Sequence, residues 1–586
     1  MRKIIQIKLL LLCAGICTFC SKKVKQVEIS ATEVISAKPA VTGIRIAWDY
    51  STQRKVSAAG TGANYSGYAR ITQLRDKSLL CIYEADGSVL AVKSINAGAS
   101  WSAPVTVAAR QNGFNMTVPD ILELSDGSLL ACYNPRPYEV NPSRRFAIRT
   151  KKSYDGGATW QEDRLLYEAG YQFENGCWEP SAIQLPDGEI QLFFANEGPY
   201  TYSDEQNISL LRSKDNGLTW TKDPEIASFR AGNRDGMPVP LLLQNGNEIV
   251  LSIEDNGSGN FKPYTIRSTI ANNWSAPVDA GSPDRNYALA EKINDHVYAG
   301  APYLRQLPTG ETILSYQGTE GRTNKLENAE MNVAIGNSEA QNFNRKTSPF
   351  SIPANKSGLW NSLAVLDDNT VVALTSTNAY SSAGNTEVWM IKGHVVPELA
   401  ASQKIITVDG LQEEPVWSEH FPVFIGQKSQ TKVASQVDYD NQFLYVISSI
   451  KDGKVISDSQ MSEDNDGITI QLDATNKSYE APGSGVFNFF LSADNELVVK
   501  EGNEGKWVAL NGVERIKHNS KISGTGYVQE IAIPWALAGG KPASDARIGF
   551  NIILTENTGK GTPDYQESIS SNVENQPYTW MTLMLR

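Results

Sequence analysis

The 586-residue chain carries 53 Lys and Arg against 65 Asp and Glu, a formal net charge of −12. That balance excludes a phosphate-tracking nucleic-acid binder, which needs a basic face, and the length exceeds a single hydrophobic core, so two or three domains are expected. With only 4 His, no Gly-rich nucleotide loop and no metal-spaced Cys or His set, the chain calls for no cofactor and no metal, and a Ser-His-Asp hydrolase is disfavoured.

Residues 1–20 read as an export signal, with Arg2, Lys3 and Lys8 ahead of an apolar run from Leu9 to Phe19. Cys20, followed by Ser21-Lys22-Lys23, resembles the acylated cysteine of a bacterial lipoprotein. The residues before it, Cys17-Thr18-Phe19, depart from the usual small residue at such a site, which leaves plain secretion open. The expectation is an exported bacterial protein, periplasmic or on the cell surface, held to the outer membrane by lipid. No later stretch reaches the length of a membrane helix. Residues 21–42 are polar and unpatterned, as a tether would be. Cys81, Cys132 and Cys177 lie in the folded part, the first two inside apolar runs, so buried free thiols are expected rather than disulfides.

From residue 43 to 397 the pattern is short alternating strands with almost no helical period. A leucine followed by a polar turn recurs at Leu74, Leu124, Leu185, Leu243, Leu307 and Leu366, at intervals of 50 to 64 residues. Hairpins repeating on that scale are propeller blades, and six repeats predict a closed six-bladed β-propeller. A second motif keeps step with the first. Full copies are Ser153-Tyr154-Asp155-Gly156-Gly157-Ala158-Thr159-Trp160 and Ser213-Lys214-Asp215-Asn216-Gly217-Leu218-Thr219-Trp220, with decayed forms at 94–101 and 268–274. Asp ties such a turn to its own backbone, Gly takes positive φ and Trp packs on the next strand. The motif resembles the Asp-box of the sialidase superfamily, and its aspartates are read as structural.

Innermost strands of a propeller converge on the axis, and polar residues recur where these strands begin: Arg70, Asp120, Trp178-Glu179-Pro180, Arg234-Asp235, Tyr303-Leu304-Arg305 and Trp360-Asn361. Buried charge is costly unless paired or used, so function is expected in this ring. Glu179, between Trp178 and Pro180, and Glu254, at the end of the apolar run 249–253, are candidates for the carboxyl pair of a glycosidase. The stretches Tyr68-Ala69-Arg70-Ile71, Trp178-Glu179-Pro180, Gly236-Met237-Pro238-Val239 and Ile253-Glu254 resemble glycoside hydrolase family 93, exo-α-1,5-arabinanases on a sialidase-like propeller. The resemblance implies catalysis by Glu179 and Glu254 with retention, Tyr303 as a catalytic-site tyrosine, and Arg70, Asp120, Trp178, Arg234, Arg305 and Trp360 around the substrate. Retention requires carboxyls about 5–5.5 Å apart. A sialidase is the alternative, with Arg70, Arg234 and Arg305 as a carboxylate-binding triad, Asp120 as acid and Tyr303 as nucleophile. Thr72, where sialidases usually have proline, weighs against it. A non-catalytic, anchored sugar-binding protein is the third reading, with one of the two glutamates turned out of the funnel.

Residues 398–586 change composition. Val408-Asp409-Gly410, Glu414-Pro415-Val416-Trp417, the run 440–446, Asp466 to Asp473 and Glu530 to Trp535 come in the order of family 9 carbohydrate-binding modules, which this stretch resembles. The expected fold is a β-sandwich. Trp417, Trp507, Trp535 and Trp580 are candidates for stacking on sugars, with burial in the core as the competing role. The acidic run Glu463-Asp464-Asn465-Asp466 reads as a solvated turn ahead of a calcium site. The whole is expected to be all-β, monomeric, and to take a polysaccharide or oligosaccharide as partner.

Overall fold

The computed structural model describes residues 43–57, 62–411, 423–426, 431–477, 479–559, 563, 565–568 and 575–586. The export signal, Cys20, the tether and Trp417 lie outside them.

Five of the six hairpin repeats form separate four-stranded antiparallel sheets. The first blade is Ser66–Gln73, Leu79–Ala85, Ser88–Ser94 and Val105–Ala108; the second is Phe114–Glu123, Leu129–Pro137, Ala147–Ser153 and Gln161–Glu168. The third is Cys177–Gln184, Ile190–Asn196, Asn207–Ser213 and Glu225–Ser228, and the fourth Asp235–Leu242, Glu248–Asp255, Lys262–Thr269 and Arg285–Tyr287. The fifth is Ala299–Gln306, Thr312–Gly318, Glu330–Gly336 and Asn344–Thr347. The repeat leucines close the first two strands of each blade from inside, Leu74, Leu124, Leu185, Leu243 and Leu307 all being buried. Leu366 does the same in the sixth hairpin.

The expectation of six blades is corrected to five. The sixth hairpin, Leu359–Val365 and Val371–Thr377, packs between the fifth and first blades but makes no sheet of its own. Its next strand, Glu387–Gln403, is 17 residues long and runs on into the C-terminal part, so the hairpin belongs to a 16-stranded sheet. Gly43–Lys55 pairs antiparallel along the same strand, from Gly43 opposite Glu398 to Lys55 opposite Trp389. The turn repeat counted hairpins correctly; where a strand stops is decided by what pairs beyond it. The expected boundary between residues 397 and 398 falls within this strand.

The Asp-box turns are structural. Asp155 accepts the Thr159 N–H at 2.9 Å and the Thr159 and Ser153 hydroxyls at 2.6 and 2.8 Å, and Asp215 repeats the set with Thr219 and Ser213. Cys81, Cys132 and Cys177 are free and buried.

In the C-terminal part, one layer holds Lys432–Tyr439, Phe443–Lys451, Gly526–Pro534 and Lys517–Ile522. The other holds Leu497–Asn503, Val486–Ser492, Gly467–Asp473, Arg547–Glu556 and Met581–Leu585. Their inward residues, among them Val446, Ile531, Ile470, Phe489 and Ile552, share one apolar core, the arrangement of a sandwich. Trp535 and Trp580 are buried, Trp535 donating to the Asp440 carbonyl at 3.0 Å. Trp507 is half-buried, its ring parallel to that of Trp580 with centroids 6.5 Å apart. Glu463 is spent on Lys500 at 2.6 Å, and Asp466 accepts the backbone N–H groups of Ile456 and Asn557. No metal-ligating cluster of three occurs among the described residues.

Candidate active site

Each innermost strand breaks its ladder at the same place. The register shifts lie at 67/70, 117/120, 178/181, 236/239, 300/303 and 359/362. Within each bulge one non-glycine residue takes positive φ: Tyr68 (50°), Val118 (45°), Glu179 (50°), Met237 (50°), Ala301 (50°) and Trp360 (53°). Such φ values are strained for residues with a Cβ and persist only where the surroundings impose them. These residues turn inward into a collar. Tyr68, Val118, Met237, Ala301 and Trp360 form one apolar cluster, with Tyr68 stacked on Trp360 at 4.4 Å between centroids. Glu179 is the one collar member with a charge.

A second set faces these bulges from the neighbouring strand: Glu84, Asn134, Ala195, Glu254, Gln317 and Ser376, opposite Gly67, Thr117, Trp178, Gly236, Gly300 and Leu359. Several of them cap the bulge of the next hairpin. Glu254 Oε2 accepts the Ala301 N–H at 2.8 Å, Gln317 Oε1 the Trp360 N–H at 2.8 Å, and Glu84 Oε2 the Val118 N–H at 3.5 Å. Gly236 and Gly300 leave room for the Glu254 carboxylate: a Cβ on Gly300 would lie 2.5 Å from Oε2, and one on Gly236 3.0 Å from Oε1.

The two glutamates differ in surroundings. Glu179, its side chain 17% exposed, accepts Arg136 Nη2 at 3.2 Å, and Arg136 lies over the Trp178 ring at 4.7 Å. Burial raises the Glu179 carboxyl above its usual range, the Arg136 guanidinium opposes that, and the charge of Glu197 adds to it. Glu254 forms no ion pair with a described residue, although the charge of Arg234 bears on it. Burial pushes it up to about 7, the Ala301 N–H opposing and the charge of Glu179 adding, so the two carboxyls lie close enough to feel each other.

The remaining candidates separate into two groups. Trp178 is buried against Phe146 and Phe173 at 4.8 and 4.7 Å, and Trp360 closes the other wall of the mouth on Tyr68. Arg234 stands at the mouth and is engaged by Glu197 and, at 2.6 Å, by Gln206. Arg70, Asp120, Tyr303 and Arg305 sit deeper, beyond the collar along their strands. Arg70 and Arg305 lie over the Tyr303 ring at 4.8 and 4.4 Å, and Tyr303 is only 1% exposed. Asp120 accepts the Ser181 hydroxyl at 2.6 Å and the Ile121 N–H at 2.9 Å. The three arginines are therefore not brought to one point, and Tyr303 is not at the mouth.

Sequence reasoning missed Arg136, Glu197, Glu84 and Tyr298. A signal for the first three exists. Glu84 lies ten residues after Leu74, as Gln317 does after Leu307, while Arg136 and Glu197 both lie twelve after their leucines. Tyr298, whose hydroxyl accepts Gln317 Nε2 at 2.7 Å, is close enough to Glu254 to feel its charge. The mouth beside Glu179 is a cleft of about 330 Å³ lined by Tyr65, Tyr68, Glu84, Arg136, Phe173 and Trp360, among others. Aromatic walls with a few fixed polar groups suit the faces and hydroxyls of a sugar.

Residues 407–585 match the family model described as carbohydrate family 9 binding domain-like. A sialidase from Micromonospora viridifaciens is 27% identical over 187 residues, 28% of this chain and 29% of that protein. Endo-1,4-beta-xylanase A of Thermotoga maritima is 24% identical over 204 residues, 34% of this chain and 18% of the enzyme. The matched stretches thus span less than a third of either relative. Among solved structures, the family 93 α-L-arabinofuranosidase of Fusarium graminearum in complex with arabinobiose is 18% identical with a TM-score of 0.44, covering 60% of this chain and 98% of that one. The chain thus resembles a sialidase over part of its length and the family 9 carbohydrate-binding model over residues 407–585.

Proposed function

We propose that this protein is a glycoside hydrolase that cleaves a neutral polysaccharide of the arabinan type from a chain end with retention. Glu179 is the nucleophile and Glu254 the general acid and base. The observation that carries the reading is the electrostatic division of one carboxyl pair. Burial raises both carboxyls, but Glu179 has the Arg136 guanidinium at 3.2 Å to oppose it, while Glu254, with no ion-pair partner among the described residues, is pushed up to about 7. A retaining glycosidase needs that division, one carboxylate to attack the anomeric carbon and one carboxylic acid to protonate the departing oxygen. Glu254 would then deprotonate the water that releases the sugar from Glu179.

A neutral substrate is favoured over sialic acid by the arginines. A sialidase needs three guanidinium groups around one carboxylate, whereas Arg234 is occupied by Glu197 and Arg70 and Arg305 lie beyond the collar on Tyr303. The charges of Glu179 and Glu254 act on each other, which supports the catalytic reading over the purely binding one. Trp507, half-buried and backed by the buried Trp580 ring, is the aromatic face through which the C-terminal domain would hold the polymer. Export and lipid anchoring rest on residues 1–20 and are proposed from these alone.

The test is product release from linear and branched arabinan and from sialyllactose, beside a Glu179→Gln/Glu254→Gln double variant. Arabino-oligosaccharide formed only by the unmutated protein, with the α-anomer appearing first by NMR, is the expected result. Free sialic acid would overturn the reading in favour of a sialidase.

A further inference from the structure

Three polar side chains line the cleft of about 330 Å³ with hydrogen-bonding capacity to spare. Glu84, 9% exposed, comes from the second strand of the first blade and caps the Val118 N–H loosely, with Oε2 at 3.5 Å. Its other oxygen has no hydrogen-bond partner among the described residues. Gln317 holds the same position in the fifth blade, and there both ends are spent, Oε1 on the Trp360 N–H at 2.8 Å and Nε2 on the Tyr298 hydroxyl at 2.7 Å. Arg136 gives Nε to Asn134 Oδ1 at 2.7 Å and Nη2 to Glu179 at 3.2 Å, which leaves Nη1 without an acceptor among the described residues. Asn115 stands opposite Arg136 across the ladder of the second blade, and its amide makes no hydrogen bond to a described residue. Glu84 and Arg136 feel each other's charge but form no ion pair. Buried polar groups are almost always hydrogen-bonded within the protein, so an acceptor, a donor and an amide left open on one cavity mark a place for a ligand.

The geometry points to Glu84 as a substrate-binding residue, whose open oxygen accepts a hydroxyl of a neutral sugar unit seated in this cleft, with Arg136 and Asn115 on the neighbouring hydroxyls. The inference rests on the reading of the protein as a glycosidase and adds the contacts that select its sugar. A hydroxyl both donates and accepts, so vicinal hydroxyls satisfy an acceptor and a donor on one wall, which a lone cation or a lone anion does not. Tyr68, Phe173 and Trp360 line the same cleft and offer ring faces to the C–H side of a sugar. Arg136, in touching Glu179, sets that sugar unit beside the proposed nucleophile. Glu84 meets the substrate away from the reacting atoms, so its contribution is the same in ground and transition states and belongs to KM rather than kcat.

The experiment combines kinetics of the full chain with a crystal soak. Glu84→Gln should fold, since Gln317 makes the same cap; it would spend its oxygen on Val118 and turn a donor towards the cleft where the acceptor was. With arabinotriose as substrate, KM is expected to rise about tenfold while kcat stays within about twofold and Tm within about 2 °C. Crystals of the unmutated protein soaked in turn with concentrated L-arabinose, D-xylose and D-glucose should show at least one of them in the cleft, with a hydroxyl about 3 Å from Glu84. Cleavage of arabinotriose with an unchanged KM in Glu84→Gln overturns the role of Glu84 and leaves the glycosidase reading standing. Parallel losses of kcat and Tm with KM unmoved make Glu84 a structural cap and overturn it too. Should no form of the protein cleave arabinotriose, or Glu84→Gln fail to fold, the soak decides alone, and a cleft empty of all three sugars refutes the site.

Discussion

Glu254 accepts the backbone N–H of Ala301 at 2.8 Å, the contact that Gln317 makes to Trp360 one hairpin further on. One position thus carries a glutamine cap in one hairpin and a carboxyl cap in another. A glutamine already makes the same cap, so Glu254→Gln should keep the bulge and fold with a stability within about 1 kcal/mol of the original. Turnover of an unactivated glycan should nevertheless fall by about 10²–10⁴-fold, with a smaller loss on an aryl glycoside whose leaving group needs no proton. Equal losses on both substrates would assign Glu254 to binding.

The pH profile should be bell-shaped. Glu254 must be protonated to act as acid and is pushed up to about 7, so kcat/KM should decline as pH rises through about 7. Glu179 must be ionised, so activity should also decline on the acid side, at a pH above that of an ordinary glutamate because its pKa is raised. Glu254→Gln should lose the alkaline limb.

Stability should follow the opposite sign from a salt-bridged carboxylate. Glu84 and Glu254 are raised to about 7 from 4.5, and Asp466 to about 7 from 3.8. Across that window the folded state keeps protons that the unfolded chain has released. Unfolding free energy should therefore fall as pH rises from about 4 to about 7 and level off above, as denaturant titrations at several pH values would show.

Arg136→Met should act through Glu179. Without the guanidinium at 3.2 Å, the acidic limb of the profile should move to higher pH and kcat should fall more than KM changes. An unmoved limb with a lowered Tm would make Arg136 a packing residue over Trp178.

In the C-terminal domain, Trp507→Ala should weaken retention on immobilised polysaccharide by about tenfold or more and leave hydrolysis of a small aryl glycoside unchanged. Removing residues 404–586 should also lower the Tm of the propeller by about 10 °C. Glu398 pairs with Gly43 on one side and Thr582 on the other, and its buried carboxylate takes Arg547 at 2.7 Å. A truncated chain melting like the intact one would show the shared strand to be dispensable.

Much of the site was legible as a phase. Tyr68, Val118, Glu179, Met237, Ala301 and Trp360 each lie six residues before a repeat leucine, so the collar is written in the spacing. The candidate set mixed phases. Arg70, Asp120 and Tyr303 lie four before the leucine and Arg234 nine before it, which is why they separate into the deep channel and the rim. Arg136 and Glu197 lie on the far side of the turn, twelve residues after their leucines, where the innermost-strand pattern does not reach.

By itself the sequence determined the all-β class, the count of hairpins, the structural Asp-box turns and the buried thiols, because each depends on local chemistry that repeats at a set interval. Only the tertiary structure decided that five hairpins are separate blades while the sixth merges into a long sheet, because pairing of Gly43–Lys55 and Met581–Leu585 with Glu387–Gln403 joins segments more than 300 and about 180 residues apart. It alone gave Glu179 and Glu254 different surroundings, since an arginine from the second blade reaches one carboxylate and a backbone N–H from the fifth reaches the other. Electrostatic environment depends on which distant groups arrive within a few ångströms, and no local pattern records that.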